Sequence, residues 1–361
     1  MRFYTLLLAA ASVVLAPPAF AQATDLQAKR GKDWKHKATG VKLTATLAGL
    51  ERDSVAGFGG LSGDNVSASD AAQTDVGANY WSADRSDNIT VFLYRNVSGN
   101  APVWFDRARS LILLHSTKYV NPRSLGIRSF TPRGQAAASG LIEVFATEGQ
   151  YRSTGVILFP INGFYAKIRV SSKSRDAASL EQLILAAANT IDWTSRQNEF
   201  AAVPVQDCAS PLPQRGPAKL ATVSSEDRMM SALIGGVVAQ AGTIKDAPSL
   251  LVYCREPGPL KIPYGLYRAD SSTERYLMAL LDSGRAVAIG SSDLTQILSE
   301  LKTAPRISIT HIGLEKTSTY GDFETLPLPE QALEMVEKTR PLSVAETWGG
   351  KKRDITINTD Q

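Results

Sequence analysis

The sequence is poor in the residues that most often bind metals or carry out nucleophilic chemistry. Its 361 residues include only two cysteines and three histidines. The histidines, His36, His115 and His311, stand far apart, and none has a cysteine or a second histidine at ligand spacing. The sequence therefore predicts no metal site and no cofactor.

Long apolar segments are also scarce. Beyond residue 21 the longest one, residues 232–241, has about half of the roughly 20 apolar residues that a membrane-spanning helix needs. We therefore expect no transmembrane segment once the N-terminal segment described next has been removed.

The first 21 residues have the three-part pattern of a secretory signal peptide. Arg2 supplies the positive charge, residues 5–16 are apolar, and residues 19–21 form a small-x-small cleavage site. The alternative, a retained membrane anchor, is disfavoured because prolines at positions 17 and 18 interrupt the apolar run. The sequence predicts cleavage after Ala21, with Ala23 as the nearby alternative, and a periplasmic or secreted protein.

The two cysteines fit the same compartment. In an oxidising environment Cys208 and Cys254 are expected to form a disulfide bond. The alternative is a pair of buried free thiols.

Charge of one sign is concentrated in one short segment. Residues 29–37 contain five basic residues and one acid, and this net charge of +4 equals the formal net charge of the whole chain. The remainder is close to neutral, which argues against a nucleic-acid-binding protein. The segment is either a solvated arm or a contact with an anionic envelope surface. The candidate surface-binding residues are Lys29, Arg30, Lys32, Trp34, Lys35 and Lys37.

Two regions with the periodicity of strands and helices flank a stretch that has neither. Residues 40–193 and residues 218–340 each mix alternating segments with amphipathic helices, and the second contains a hairpin around residues 282–284. Residues 194–217 contain four prolines and are expected to be a linker. The sequence predicts an α+β protein of two domains, each a mainly antiparallel sheet with helices packed on one face.

The two ends of the mature chain are expected to lie outside these domains. Residues 22–39 form the basic N-terminal arm, and residues 341–361 are polar enough to be a disordered tail.

The layout of the first domain resembles the Mog1/PsbP-like superfamily. A strand at residues 165–170 leads through a polar turn to an amphipathic helix at residues 179–189 and to a short apolar and aromatic end at residues 191–193. The resemblance covers residues 40–193. It implies a compact, sandwich-like domain used mostly for binding or assembly, and it assigns a role to no individual residue.

Catalytic motifs give no support for an enzyme. The chain has no Gly-x-Ser-x-Gly sequence, and Ser299 and Lys302 match Ser-x-x-Lys only at the end of a predicted helix. Glu143 stands among apolar residues in an alternating strand and is expected on its solvent face. We expect a non-catalytic envelope protein that binds a partner protein or an anionic surface. The alternative is a periplasmic hydrolase of unfamiliar type.

Overall fold

A computed structural model describes residues 23–59, 68–197, 199–213, 216–222, 224–242, 251–291, 306–349 and 353–358. The predicted signal peptide, Ser299 and Lys302 lie outside the described residues.

Ten strands of the described chain form the first sheet, in which every pairing is antiparallel. They are β1 (Thr24–Asp25), β4 (Thr46–Leu47), β5 (Leu50–Gly57), β6 (Asp75–Trp81), β7 (Asp87–Arg95), β8 (Val120–Ser124), β9 (Arg128–Phe130), β10 (Gly140–Glu148), β11 (Ser153–Ile161) and β12 (Phe164–Ser172). Their order is β1-β5-β6-β7-β12-β11-β10-β8, with β4 beside β5 and β9 beside β10. A separate pair, β2 (Trp34–Lys35) and β3 (Lys42–Leu43), lies between β1 and β4 in the chain.

The central strands of this sheet are apolar on both faces. In β11, Ile157 and Phe159 enter one core, while Val156 and Leu158 enter another. Strands of this kind need cover on two sides. The helices α2 (Ala101–Leu114) and α3 (Ala177–Thr190) supply it from opposite faces, so the expectation of helices on one face is wrong for this sheet. A short α1 (Ala68–Ala71) precedes β6.

Nine strands of the described chain form the second sheet, which follows sequence order. They are β13 (Gln206–Asp207), β14 (Tyr253–Arg255), β15 (Tyr264–Ala269), β16 (Tyr276–Leu280), β17 (Ala286–Gly290), β18 (Ser308–Ile312), β19 (Lys316–Thr319), β20 (Ser343–Glu346) and β21 (Ile355–Ile357). All pairings are antiparallel except the parallel pair β13 and β14. The protein is thus built mostly of antiparallel sheet, with 37% strand and 17% helix.

Two helices pack on the second sheet. The helix α4 (Ser225–Gly242) crosses β19, β20 and β21, and α5 (Pro329–Lys338) covers a core that includes Met278 and Ile309. Two glycines allow α4 to pack close to β19 and β21. A Cβ at Gly235 would lie 2.8 Å from Thr319 Oγ1 and one at Gly236 would lie 2.6 Å from Ile355 Cγ2, so a larger residue at either position would clash.

Two segments have more structure than the sequence predicts. Residues 341–361, expected to be disordered, contain β20 and β21, and in β20 Ser343 and Ala345 alternate with more exposed neighbours. The expected linker, residues 194–217, contains β13 of the second sheet, and its Ala202 amide donates to Ala138 O in the loop between β9 and β10. Strands of three or four residues are too short for a period of two to stand out in the sequence.

The two sheets share one apolar core. Tyr94 and Tyr165 of the first sheet, Trp104 of α2, and Tyr267 and Leu277 of the second sheet are all buried in one cluster. Because the cluster contains side chains from both halves, each half needs the other to bury this part of its apolar surface, although each also has a core of its own.

A buried ion pair lies beside this shared core. The Lys167 ammonium on β12 donates to Asp282 Oδ2 at 2.7 Å and to the Asp282 carbonyl at 3.1 Å, in the loop between β16 and β17. The Lys167 side chain is 4% exposed, and its Nζ lies 4.5 Å from the centre of the Phe92 ring. Burial alone would raise the pKa of Asp282, but the positive charges of Lys167 and Arg169 lower it below its usual value.

Removal of this pair should destabilise the whole molecule. In Lys167→Ala the buried Asp282 carboxylate loses its main partner, so we expect a single unfolding transition with a free energy of unfolding lower by about 3–5 kcal/mol. Urea denaturation followed by fluorescence and by circular dichroism measures it. The exposed Lys173→Ala is the control and should change stability by less than about 0.5 kcal/mol. Two separate transitions in the wild type would contradict the shared core.

Candidate functional site

The basic N-terminal segment is a folded hairpin. Strand β2 pairs with β3, so that Trp34 faces Leu43 and Lys35 faces Lys42. Leu43 is fully buried in the first core and Trp34 is half-buried against it, while Lys35 and Lys42 are exposed. Alternation along the two strands thus places the apolar pair inward and the two lysines outward on the same face.

Arg52 holds the hairpin in place. Its buried guanidinium on β5 donates to the carbonyls of Leu43 at 2.6 Å and Lys29 at 3.2 Å, and it also bonds to the carbonyl of Lys32. The sequence gives one signal for it, since Arg52 is a charged residue at a position where the alternation of β5 requires burial.

His36 fixes the turn of the same hairpin. Its Nδ1 lies 2.8 Å from Thr39 Oγ1 and its Nε2 lies 2.9 Å from the carbonyl of Gln73, while its ring meets the Phe164 ring edge-on at 5.1 Å. The prediction that His36 is no metal ligand remains a prediction, but both ring nitrogens have protein partners.

We call the exposed cations of residues 29–42 the basic face. Five of the six predicted residues belong to it, and Lys42 joins them through the pairing of β2 with β3. Trp34 does not belong to it, because its ring packs against the first core. From residue 23 to residue 51 six basic side chains stand against three acidic ones. The members are Lys29, Arg30, Lys32, Lys35, Lys37 and Lys42.

The basic face includes an unfavourable contact. Like charges directly opposite on paired strands destabilise a sheet, and Lys35 and Lys42 are in that position. Of the six cations, Arg30 pairs with Glu51 at 3.2 Å, and both side chains are mostly exposed. An exposed pair of this kind contributes little to stability.

A lower pH should loosen the turn of this hairpin. Burial lowers the pKa of His36 to about 4, so the folded protein keeps the ring neutral while the unfolded chain protonates it near 6.5. This stability is complete above pH 6.5 and is lost as the pH falls toward 4, by up to roughly 3 kcal/mol. Unfolding free energies at pH 7 and pH 4.5 should therefore differ less in His36→Gln than in the wild type. The same change in unfolding free energy in both proteins would contradict this role of His36. The pKa of His311 is also lowered to about 4, but His311 contributes equally to both proteins.

A second candidate site is a cleft of about 760 Å³ between α2 and the second sheet. Three separate chain segments supply most of its wall, each with a pair of prolines and one or two leucines nearby. The prolines are Pro211, Pro213, Pro257, Pro259, Pro327 and Pro329, and the leucines are Leu212, Leu260, Leu266, Leu326 and Leu328.

Most charged side chains in the lining are held by other protein groups. Arg255 donates to Asp106 and to Asp207, both at 2.7 Å. Arg107 donates to the carbonyls of Leu281, Lys261 and Ile262 at 2.6–3.2 Å.

The mouth of the cleft carries a polar cluster that is accessible to solvent. The Lys261 ammonium donates to Glu330 Oε1 at 3.0 Å and to the Tyr264 hydroxyl at 3.2 Å. The Lys261 and Glu330 side chains are 46% and 65% exposed. Hydrogen bonds to Glu330 and to Tyr264 raise the pKa of Lys261, and the bond from Lys261 lowers the pKa of Glu330. Ser110 also lines the cleft, and its buried hydroxyl has no hydrogen-bond partner among the described residues.

The predicted disulfide bond is confirmed. Cys208 and Cys254 are joined, with their Cα atoms 4.9 Å apart. The bond links Cys208 to β14. Cys208 stands three positions before Pro211, which lines the cleft. The same segment is held by the Leu212 amide, which donates to Glu256 Oε1 at 2.6 Å, and by a hydrogen bond from Arg268 to the Ser210 carbonyl.

Loss of the disulfide bond should destabilise the protein and loosen this wall. The sequence separation of 46 residues gives roughly 4 kcal/mol on the chain-entropy estimate. Reduction should therefore lower the melting temperature of the wild type, measured by circular dichroism with and without reductant. The double variant Cys208→Ser/Cys254→Ser should melt at the lower temperature in both conditions. An unchanged melting temperature on full reduction would contradict this role.

The position of Glu143 corrects a prediction. It is 1% exposed, and its carboxylate accepts hydrogen bonds from Arg109 Nε at 2.6 Å and from Ser124 Oγ at 2.5 Å. The expected solvent face of β10 is covered by α2, which brings Arg109 to it. Ser124 is exposed, so this hydroxyl on a buried carboxylate has the partners, though not the histidine, of a base-activated nucleophile.

No protein-family model, no curated protein and no solved structure matches the chain. Within the described residues no three or more His, Cys, Asp and Glu side chains come together as a metal ion would require. In the same part of the chain no helix combines the length and the apolar character needed to cross a membrane.

Proposed function

We propose that this is an exported, non-catalytic protein that binds an anionic surface of the cell envelope through its basic face. The cross-strand pair of Lys35 and Lys42 is the observation that carries the proposal, because it lowers stability and is relieved by an anionic partner. The periplasmic or secreted location and cleavage after Ala21 are part of the proposal. The disulfide bond is consistent with an oxidising compartment.

The proposal includes the fold class. We assign both sheets, with their helices, to the α+β class, and the first sheet with α3 to a layout similar to that of the Mog1/PsbP-like superfamily. A rigid domain of that kind suits binding, since its surface is fixed before the partner arrives.

The charges of the basic face are enough for weak attachment to an anionic surface. A lysine or arginine near an anionic lipid surface contributes on the order of 1 kcal/mol at low salt. Several such residues on one hairpin give weak, salt-sensitive attachment, which falls as the Debye length shortens. Arg52 and His36 keep the hairpin ordered, so little conformational entropy is lost on binding.

The first test uses vesicles of phosphatidylglycerol and of phosphatidylcholine. The wild type should bind the anionic vesicles at low ionic strength, bind more weakly at physiological ionic strength, and ignore the neutral ones. In Lys42→Glu, binding should weaken by more than about tenfold, while the new pair with Lys35 should raise stability by about 0.2–1 kcal/mol. Sedimentation and urea denaturation measure the two effects.

The matched control is Lys118→Glu, which reverses an exposed lysine outside the basic face. It should leave vesicle binding within about twofold of the wild type if the long-range effect of net charge is small. Equal loss in both variants would mean that only net charge matters, and an unaffected Lys42→Glu would overturn the proposal. Binding to acidic envelope proteins but not to lipid would transfer the role of the basic face to a protein partner.

The alternative of a periplasmic hydrolase has one specific observation in its favour, the contact between Ser124 and Glu143. An ester substrate hydrolysed by the wild type and not by Ser124→Ala would favour it. Arg109 already binds the carboxylate, so we place this function second.

A further inference from the structure

We propose that the cleft between α2 and the second sheet binds a single-chain anionic amphiphile, with its hydrocarbon between the prolyl and leucyl walls and its head group at Lys261. This site is separate from the basic face and does not depend on it. Three features support it: the chemistry of the walls, the Lys261 ammonium at the mouth and the size of the cleft.

The walls suit a ligand that needs few hydrogen bonds. Six of the lining residues are prolines, which have no backbone N–H to donate. An extended peptide presents one carbonyl per residue, and a buried carbonyl without a donor is costly. A hydrocarbon chain has no such groups, and the leucines around it are apolar. The walls therefore favour a hydrocarbon over a peptide.

A lysine at the mouth has one N–H donor to offer an anionic head group. The lining has three basic and two acidic side chains, Arg107, Arg255, Lys261, Glu256 and Glu330. Arg107 and Arg255 are engaged by carbonyls and by aspartates inside the protein. Lys261 is half exposed, and an ammonium has three N–H donors, of which Glu330 and Tyr264 accept two. The remaining donor is available to an oxyanion at the mouth.

The size of the cleft points to a small molecule. Its volume of about 760 Å³ lies within the range of roughly 300–1,000 Å³ that is usual for small-molecule sites. Carboxylates and phosphate monoesters share the chemistry that Lys261 recognises, so the ligand class includes free fatty acids and phosphorylated single-chain lipids.

Binding is tested on the mature, disulfide-bonded protein by isothermal titration with dodecanoate and dodecyl phosphate, each below its critical micelle concentration, and with dodecanol below its solubility limit. We expect saturable one-to-one binding of the anionic ligands. The tighter of the two anions identifies the carboxylate or the phosphate as the preferred head group. A proline-rich peptide, tested in parallel, should bind more weakly than either.

Two variants address the two parts of the site. Lys261→Gln should weaken binding of the better anion by about tenfold, the value of one charge-assisted hydrogen bond, and leave dodecanol unchanged. Leu266→Trp fills the cleft and should abolish binding of all three ligands. The controls are Lys219→Gln and Leu220→Trp, exposed positions outside the lining, and neither should alter binding.

Several outcomes would overturn the proposal. These are no binding of either anion, tighter binding of the peptide, or unchanged binding in a folded Leu266→Trp variant. Melting curves establish that the variants are folded, and Leu260→Trp replaces Leu266→Trp if the latter does not fold. Loss of vesicle binding without loss of dodecanoate binding, or the reverse, separates this site from the basic face.

Discussion

The contact on which the rest of the structure depends is the ion pair between Lys167 and Asp282. It joins the centre of the first sheet to the tip of a hairpin in the second, with the Lys167 side chain 4% exposed and the Asp282 side chain 22% exposed. A buried ammonium is tolerated only with close partners, and here the carboxylate, a carbonyl and the Phe92 ring provide them. The carbonyl of Leu281, the residue before Asp282, accepts a hydrogen bond from Arg107, which also lines the cleft. The position of α2 and the shape of the cleft therefore depend on how the two sheets meet.

Arginine has the same structural role at both candidate sites. Arg52 donates hydrogen bonds to carbonyls of the N-terminal segment, and Arg107 donates hydrogen bonds to carbonyls beside the cleft. In each case a buried guanidinium donates to backbone carbonyls of irregular segments, which lack the partners that a regular strand or helix provides. The lysines of the two sites, by contrast, are exposed at their charged ends. Buried arginines thus hold irregular backbone in place at both sites, and the lysines leave their charged ends accessible to solvent.

The sequence predicts elements whose periodicity is local, and it fails where the cause lies elsewhere in the chain. Alternation identifies β6, β7 and β10 to β12, caps and spacing identify α2 and α3, and the compartment identifies the disulfide bond. Burial of Glu143 could not be foreseen, because its partner Arg109 comes from a helix 34 residues away. The cleft was hidden for the same reason: its prolines come from three distant segments that individually resemble turns or a linker. Lys42 belongs to the basic face only through its pairing with Lys35.

The central claim is that the two sheets form one cooperative unit, which holds the basic face and the cleft in fixed positions. Native-state hydrogen exchange tests it most directly. The account predicts that the slowest amides of β7 and β12 and those of β16 and β17 exchange with the same opening free energy, equal to that of global unfolding. Faster exchange of β16 and β17, at a lower free energy while β7 and β12 stay protected, would contradict it.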